Sequence, residues 1–308
     1  MELQEHFVQS VRLYFKEQGE EWLVKLPHII DYCENNWSLR IKAPYSLSIN
    51  YVAPAIMLDG REVVVKLSIP GKEFLNELKV LQLLNSKGIV QLIDYNMEKG
   101  ILILEKITPG YTLAEMTDDE AACVIAADVV KNISMPAPDH TEIPTTKERE
   151  ESLRRQFEKH NDSGPISKQS FEKALNIFAY LNHTIEQQML LHGDFHHYNV
   201  LASSDGKWIA IDPKGLIGEI EYDLIQYLLN KLPNEDAYRV IERRVNIFTR
   251  ELHLNKKRLL LWGYCHAVLA TSWTIDENQN YDESFYQGIE IFERLYVTNF
   301  GEISSLFK

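Results

Sequence analysis

The chain has 308 residues, 45% of them apolar and 25% charged, with a formal net charge of −13 at pH 7. Such a length and composition are those of an ordinary globular protein with one large core or two lobes. The acidic balance argues against a nucleic-acid partner, which needs a basic surface to neutralise phosphates, and is compatible with a cationic small-molecule substrate. Residues 1–16 are mixed and carry Glu2, Glu5 and His6, so they lack the basic-then-apolar pattern of a signal peptide. The longest apolar run, about 259–270, is interrupted by Gly263 and His266 and is too short to span a bilayer. Cys33, Cys123 and Cys265 show no C-x-x-C spacing and read as free thiols in a reducing compartment. The expectation is a soluble, cytoplasmic protein with no membrane partner. Composition leaves its oligomeric state open.

Residues 7–35 begin with helical spacing at Phe7, Val8, Val11, Tyr14 and Phe15, and Gly19 and Pro27 break the pattern into pieces. From Trp37 the period changes to that of strands, over 38–43, 51–58 and 61–67. Asp59-Gly60 forms the turn before the third strand, and Lys66 lies near that strand's end. A helix follows with Phe74, Leu75, Leu78, Leu81 and Leu84 on one face and Glu73 and Glu77 at i, i+4 on another. Strands are predicted at 89–95 and 101–105, before Pro109-Gly110 interrupts the pattern.

Beyond Gly110 the chain is mainly helical. Helices are predicted at 117–132 and 147–160, with a Pro-containing loop at 133–146, and the strongest helical stripe runs through 167–190. Further helices are predicted at 222–230, 235–252, 256–274 and 281–298. Residues 199–202 and 207–211 form a hairpin around Asp205-Gly206. The composition shift near 106–110 is the lobe boundary, which predicts an α+β protein of two lobes sharing a cleft. A small antiparallel-sheet N-lobe would span residues 1–106 and a mainly helical C-lobe 107–308.

The chemistry concentrates at His192-Gly193-Asp194-Phe195-His196-His197-Tyr198-Asn199-Val200-Leu201, followed by Asp212 at the end of the hairpin. An acid, an amide and a second acid on adjoining short segments suit phosphoryl transfer. One carboxylate accepts a hydroxyl proton, while the amide and the other carboxylate hold Mg2+ on a nucleotide. Lys66 on a buried-looking strand needs a carboxylate partner, and spacing alone admits either Glu73 or Glu77. Ser46 and Ser48 sit where a phosphate-covering loop would lie, although that loop has no glycine. Glu105-Lys106-Ile107 closes a strand where a connector presents backbone groups to an adenine ring. Turn chemistry is the bland reading of Asp194, Asn199 and Asp212. A histidine metal site from His192, Asp194, His196 and His197 is a rival, against which structural histidines supporting a loop are commoner. The histidine order is H-x-D-x-H-H, unlike the H-x-H-x-D-H pattern of dinuclear hydrolases.

With those residues assembled, the chain resembles the aminoglycoside phosphotransferase family, which has a protein-kinase-like fold, and within it the streptomycin 6-kinase and hydroxyurea kinase branch. The H-G-D-F-H-H-Y-N-V-L run at 192–201 and the I-D-P-K-G-L-I-G-E run at 211–219 carry most of the likeness. The resemblance implies that Asp194 is the catalytic base and that Asn199 and Asp212 are Mg2+ ligands. It also implies that Lys66 contacts ATP phosphates with Glu77 as partner, and that 105–107 is the adenine connector. The activity expected is ATP- and Mg2+-dependent phosphorylation of a small-molecule hydroxyl, on an aminoglycoside such as streptomycin. A kinase for hydroxyurea or another metabolite, and a nucleotide-binding pseudokinase module, are the alternatives. Glu219, Glu221, Asp276 and Glu277 are candidate acidic contacts for a cationic substrate, with Trp273 as a wall. Residues 132–165, a substrate-side insertion, match no pattern.

Overall fold

The alternating stretches become a five-stranded antiparallel sheet in the computed structural model, which describes residues 3–85, 88–139, 141–160, 164–233, 235–276 and 278–307. Its strands are β1 (Leu39–Ile41), β2 (Tyr51–Met57), β3 (Glu62–Leu67), β4 (Leu92–Asn96) and β5 (Ile101–Glu105), in the order β1-β2-β3-β5-β4. Strand β3 is central, with Lys66 opposite Val52 on β2 and Leu102 on β5. One sheet face carries Ala53, Ala55, Val63, Val65, Leu67, Ile101 and Ile103, which share a core with Phe7, Val11, Trp22, Leu26 and Cys33 of α1 (Glu5–Asn36). Period-two alternation puts Lys66 on the other face, where it meets α2 (Lys72–Leu84).

These elements belong to the first of two units, Met1–Tyr111 with Leu201–Ile211. The second is Thr112–Val200 with Asp212–Lys308. In α1 the breaks expected at Gly19 and Pro27 do not occur. The helical assignment runs through both, and the non-helical residue is Lys16 (φ 50°, ψ −125°). The kink lets the two helical segments pack together, with Phe7 edge-on to Trp22 at 6.1 Å and Arg12 paired with Glu20. Gly19 serves that packing: a Cβ there would lie 2.6 Å from the Val11 carbonyl oxygen. The hairpin of β9 (Val200–Ser203) and β10 (Trp208–Ala210) joins β6 (Pro109–Thr112) in a three-stranded sheet of order β10-β9-β6. Ile89 bridges Ala210, so the strand expected from residue 89 starts only at Leu92.

The second unit contains α3 (Asp119–Ile133), β7 (Met135–Pro136), α4 (Thr146–His160), α5 (Lys168–His183) and β8 (Met189–Leu191). After the hairpin come β11 (Leu216–Gly218), α6 (Ile220–Asp223), α7 (Ile225–Leu229), α8 (Ala237–Leu252), α9 (Lys256–Thr274) and α10 (Glu283–Phe300). The helix expected over 167–190 stops at His183. The remainder is recruited as β8 into a sheet of order β11-β8-β7, because pairing with two strands satisfies its backbone and buries Leu190 and Leu191. The unplaced insertion contributes β7, the Thr145–Ile217 bridge and α4. Helix α9 is buried continuously from Leu259 to Ser272. Gly263 makes room for Phe292, whose ring would come within 2.4 Å of a Cβ. Among the described residues no helix is long and apolar enough to cross a membrane.

Arg244 of α8 is the most heavily used side chain of this unit. Its guanidinium pairs with Asp119 at 2.6 Å and donates to the carbonyls of Tyr227, Leu228 and Asn230 at the C-terminal end of α7. Replacing it strips a buried network of its donor. Arg244→Met is expected to lower the free energy of urea unfolding by about 3 kcal/mol. A loss below about 1 kcal/mol would mean that water takes over its bonds.

Candidate active site

The sequence between β8 and β9 folds around a carboxylate that lies outside the motif. Asp223, at the end of α6, is fully buried and accepts from the backbone N–H groups of His192 (2.9 Å) and Gly193 (2.7 Å). Gly193 has φ +82°, and a Cβ there would sit 3.1 Å from the Gly215 nitrogen, so this position requires glycine. The His192 carbonyl in turn accepts from the N–H groups of Lys214 and Gly215 at 2.8 and 2.9 Å. One peptide thereby ties the segment after Asp212 to the segment before Asp194. Asp212 itself adopts φ +62°, a left-handed conformation that Asp tolerates better than most residues.

Around that tie the functional side chains gather. The Asn199 amide donates to the Asp194 carbonyl at 3.0 Å, and the Asn199 N–H donates to the His196 carbonyl. His196 Nε2 lies 3.7 Å from an Asp194 carboxylate oxygen, and Lys214 Nζ lies 3.9 Å from one of Asp212. The carboxylates of Asp194 and Asp212 remain 28% and 35% exposed, enough to meet a ligand. Burial pulls the His196 pKa down and Lys214 adds to that, while Asp194 and Asp212 both oppose it. Both carboxylates therefore act on the same imidazole.

The histidines are supports for the loop. Among the described residues no group of three His, Cys, Asp or Glu side chains could hold a metal ion, which corrects the histidine-metal reading. His197 is buried and stacked on Tyr227 at 3.8 Å, and burial together with Arg244 pushes its pKa down to about 3. Phe195 stacks on the same tyrosine at 6.1 Å. A smaller metal set does fit. Asn199 spends its amide nitrogen on Asp194, and its Oδ1 has no hydrogen bond among the described residues. With the Asp212 carboxylate it would supply the hard oxygen donors that suit Mg2+ beside phosphate oxygens and water.

In the first unit, Lys66 Nζ bonds Glu77 Oε1 at 2.7 Å, with side-chain exposures of 3% and 5%. Glu73 is exposed, so of the two carboxylates that spacing admitted, Glu77 is the one in contact. Ser46 and Ser48 are exposed on a loop pinned by α1. Gln4 bonds the Leu47 N–H and the Tyr45 carbonyl, and His6 reaches the Leu47 carbonyl. The Glu105 carboxylate accepts from the Gln91 N–H, and Lys106 pairs with Glu62. Those two side chains hold the connector at 105–107, where the Glu105 N–H also donates to the Gln91 carbonyl at 3.0 Å.

The candidate acidic contacts have partners of their own in this structure. Glu219 accepts from Arg258 at 2.7 Å and from the Trp262 indole at 2.8 Å, and Glu221 accepts from the Asn255 N–H. Burial raises the Glu221 pKa. Both face the start of α9, and Trp273 lies roughly 16 Å further along that helix than Trp262. Asp276 folds back on the N–H groups of Asn278 and Asn280, and Glu277 lies outside the described residues. Trp273, with Arg149, Tyr222, Asp223, Gln226 and His266, lines a small cavity against Gly193.

Known proteins share the sequence pattern and the fold of this chain. The family pattern described as "Aminoglycoside/hydroxyurea antibiotic resistance kinase" matches residues 42–278. The chain is 27% identical to a streptomycin 6-kinase of Streptomyces glaucescens, over 90% of this chain and 92% of that one. It is 24% identical to a hydroxyurea phosphotransferase of Kitasatospora aureofaciens, over 91% and 82%. Among solved structures, the choline kinase LicA from Streptococcus pneumoniae has the same fold, with a TM-score of 0.63 at 15% identity. It covers 88% of this chain and 99% of its own. The architecture is therefore protein-kinase-like, an antiparallel sheet followed by a mainly helical part.

Burial lifts the Asp223 carboxyl from its ordinary value of 3.8 to about 6, against the two N–H bonds that lower it. Protonation below pH 6 turns one oxygen into a donor, so the Gly193 N–H signal is expected to titrate with a midpoint near pH 6 in NMR spectra. A folded-state pKa above the unfolded one means that the native chain binds the extra proton between pH 6 and 4. Relative to Asp223→Asn, the wild type should gain up to about 3 kcal/mol of unfolding free energy as pH falls through that window. A flat difference would show that the carboxyl titrates normally.

Proposed function

The chain belongs to the aminoglycoside/hydroxyurea antibiotic resistance kinase family, and we propose that it transfers the γ-phosphoryl group of ATP, with Mg2+, to a hydroxyl of a small molecule. A streptomycin-type aminoglycoside is the first acceptor on this reading, supported by the extent of the likeness to a streptomycin 6-kinase. Hydroxyurea is the second, supported by the phosphotransferase relative. The observation that carries the reading is the joint placement of Asp194, Asn199 and Asp212 around the His192 peptide.

In this mechanism Asp194, partly exposed and backed by the Asp223-anchored loop, orients the acceptor hydroxyl and takes its proton. Asn199 and Asp212 would hold Mg2+, which when bound neutralises charge on the phosphates. Lys66, fixed by Glu77 on a central strand, would contact nucleotide phosphates, and the backbone at 105–107 would meet the adenine. The neighbour LicA has also been solved in complex with AMP, with a TM-score of 0.59 at 16% identity and coverage of 88% of this chain and 98% of its own; that supports a nucleotide here. Residues 1–106 then serve nucleotide binding, and 107–308 carry the catalytic loop and the acceptor contacts.

The test is nucleotide consumption by the purified protein with Mg2+-ATP and streptomycin or hydroxyurea. Acceptor-dependent turnover should appear, and Asp194→Ala should lower kcat by roughly 10² to 10⁴. Near-normal turnover in the variant would remove Asp194 from the reaction. ATP binding with no turnover on either compound would sink both acceptor assignments and favour a nucleotide-binding regulatory module.

A further inference from the structure

Helix α9 carries a buried histidine that the mechanism above does not use. His266 is 4% exposed. Its Nδ1 lies 3.0 Å from the Tyr222 hydroxyl, and its Nε2 is buried with no hydrogen-bond partner among the described residues. Native interiors seldom leave such an atom unsatisfied. The same ring lines the cavity of about 30 Å³ that abuts Gly193, the residue before Asp194. That volume admits one or two groups the size of a hydroxyl or an amide.

The charges around the cavity select what enters. The Arg149 guanidinium lies 5.3 Å from the centre of the Trp273 ring, whose indole N–H donates to Ser152. Helix α4, from the insertion that no sequence pattern explained, therefore supplies one wall. Asp223 is the only carboxylate among the lining residues, and its two oxygens accept from His192 and Gly193. Burial and Arg149 hold the imidazole neutral, its pKa pushed down to about 3. What remains is an imidazole, a phenol and the Gln226 amide beside a fixed cation. A guanidinium or ammonium would enter beside Arg149, and the Asp223 carboxylate, the only counter-charge among the lining residues, is already engaged by two N–H groups. A hydroxyl or an amide would find partners.

We infer that this cavity receives an uncharged, hydroxyl- or amide-bearing portion of the phosphate acceptor, bound by the His266 ring and the Tyr222 hydroxyl, while Arg149 keeps cationic portions outside. The inference rests on the kinase reading and names a specificity-determining residue within it.

Hydroxyurea is the smallest probe that carries such a group alone. Its binding to the full chain is measured by ligand-observed NMR for wild type, His266→Asn and His266→Gln. Asparagine keeps a partner near the Tyr222 hydroxyl but withdraws the Nε2 position, which glutamine reaches. Binding should weaken roughly three- to tenfold in His266→Asn and recover in His266→Gln. In turnover the acceptor KM should rise by the same factor with the KM for Mg2+-ATP unchanged. Arg149→Glu, at the rim, covers the case in which the buried substitutions unfold. It should shift the ratio of kcat/KM for streptomycin over hydroxyurea upward about fivefold. The inference is overturned if wild type does not bind hydroxyurea, or if the folded His266 variants bind it equally, the cavity then holding a structural water. It is overturned as well if Arg149→Glu leaves the ratio unchanged. Wild type that binds hydroxyurea through His266 yet phosphorylates no acceptor would sink the proposed reaction and leave this subsite standing.

Discussion

Two adjacent backbone N–H groups, those of His192 and Gly193, converge on the buried carboxylate of Asp223, and the catalytic loop has its shape because of them. A carboxylate removed from water is costly unless its lone pairs are used; bonds from N–H groups to an ionised acceptor are the stronger kind. The constraint propagates through the peptide. The His192 carbonyl holds Lys214 and Gly215, and close approach of that segment excludes any side chain at Gly193. Asp194 and Asp212 are thus positioned by one hydrogen-bonded junction that contains neither of their side chains.

A second shell of packing keeps the junction in place. Tyr227 offers its ring to both His197 and Phe195, while Arg244 lies against that ring and binds the carbonyl ends of α7. The histidines of the motif divide accordingly. His197 is a neutral packing group, His192 contributes its backbone and accepts the Asp194 N–H at Nδ1, and His196 lies beside the Asp194 carboxylate. Side-chain chemistry alone made all of them metal-ligand candidates. Burial and stacking made two of them structural.

In the first unit the corresponding device is a buried ion pair. Lys66 and Glu77 are both almost wholly withdrawn from water, which rarely adds net stability compared with apolar packing. Its effect is positional: the backbone of Lys66 is paired on both sides in the central strand β3, and its ammonium is held by Glu77 at 2.7 Å.

How much of this was legible in the residues depends on the range of the interaction involved. Local pattern gave the central strands, the 207–211 arm of the hairpin, most helices and the Asp194–Asn199–Asp212 set, because period, turn residues and motif spacing are properties of neighbouring residues. The helical stripe through Met189 misled, since β8 exists only because β7 and β11 arrive to pair with it. Gly19 and Pro27 misled for a similar reason: contacts between Phe7 and Trp22 decide where α1 bends. A sequence shows that Glu219 is charged but not that Arg258 and Trp262 bond to it. By itself, then, the sequence determined the class of fold, the family and the atoms available for phosphoryl transfer. The tertiary structure alone decided which carboxylate anchors the loop and which walls stand beside Gly193, since each of those contacts joins residues far apart in the chain and depends on burial that no local pattern records.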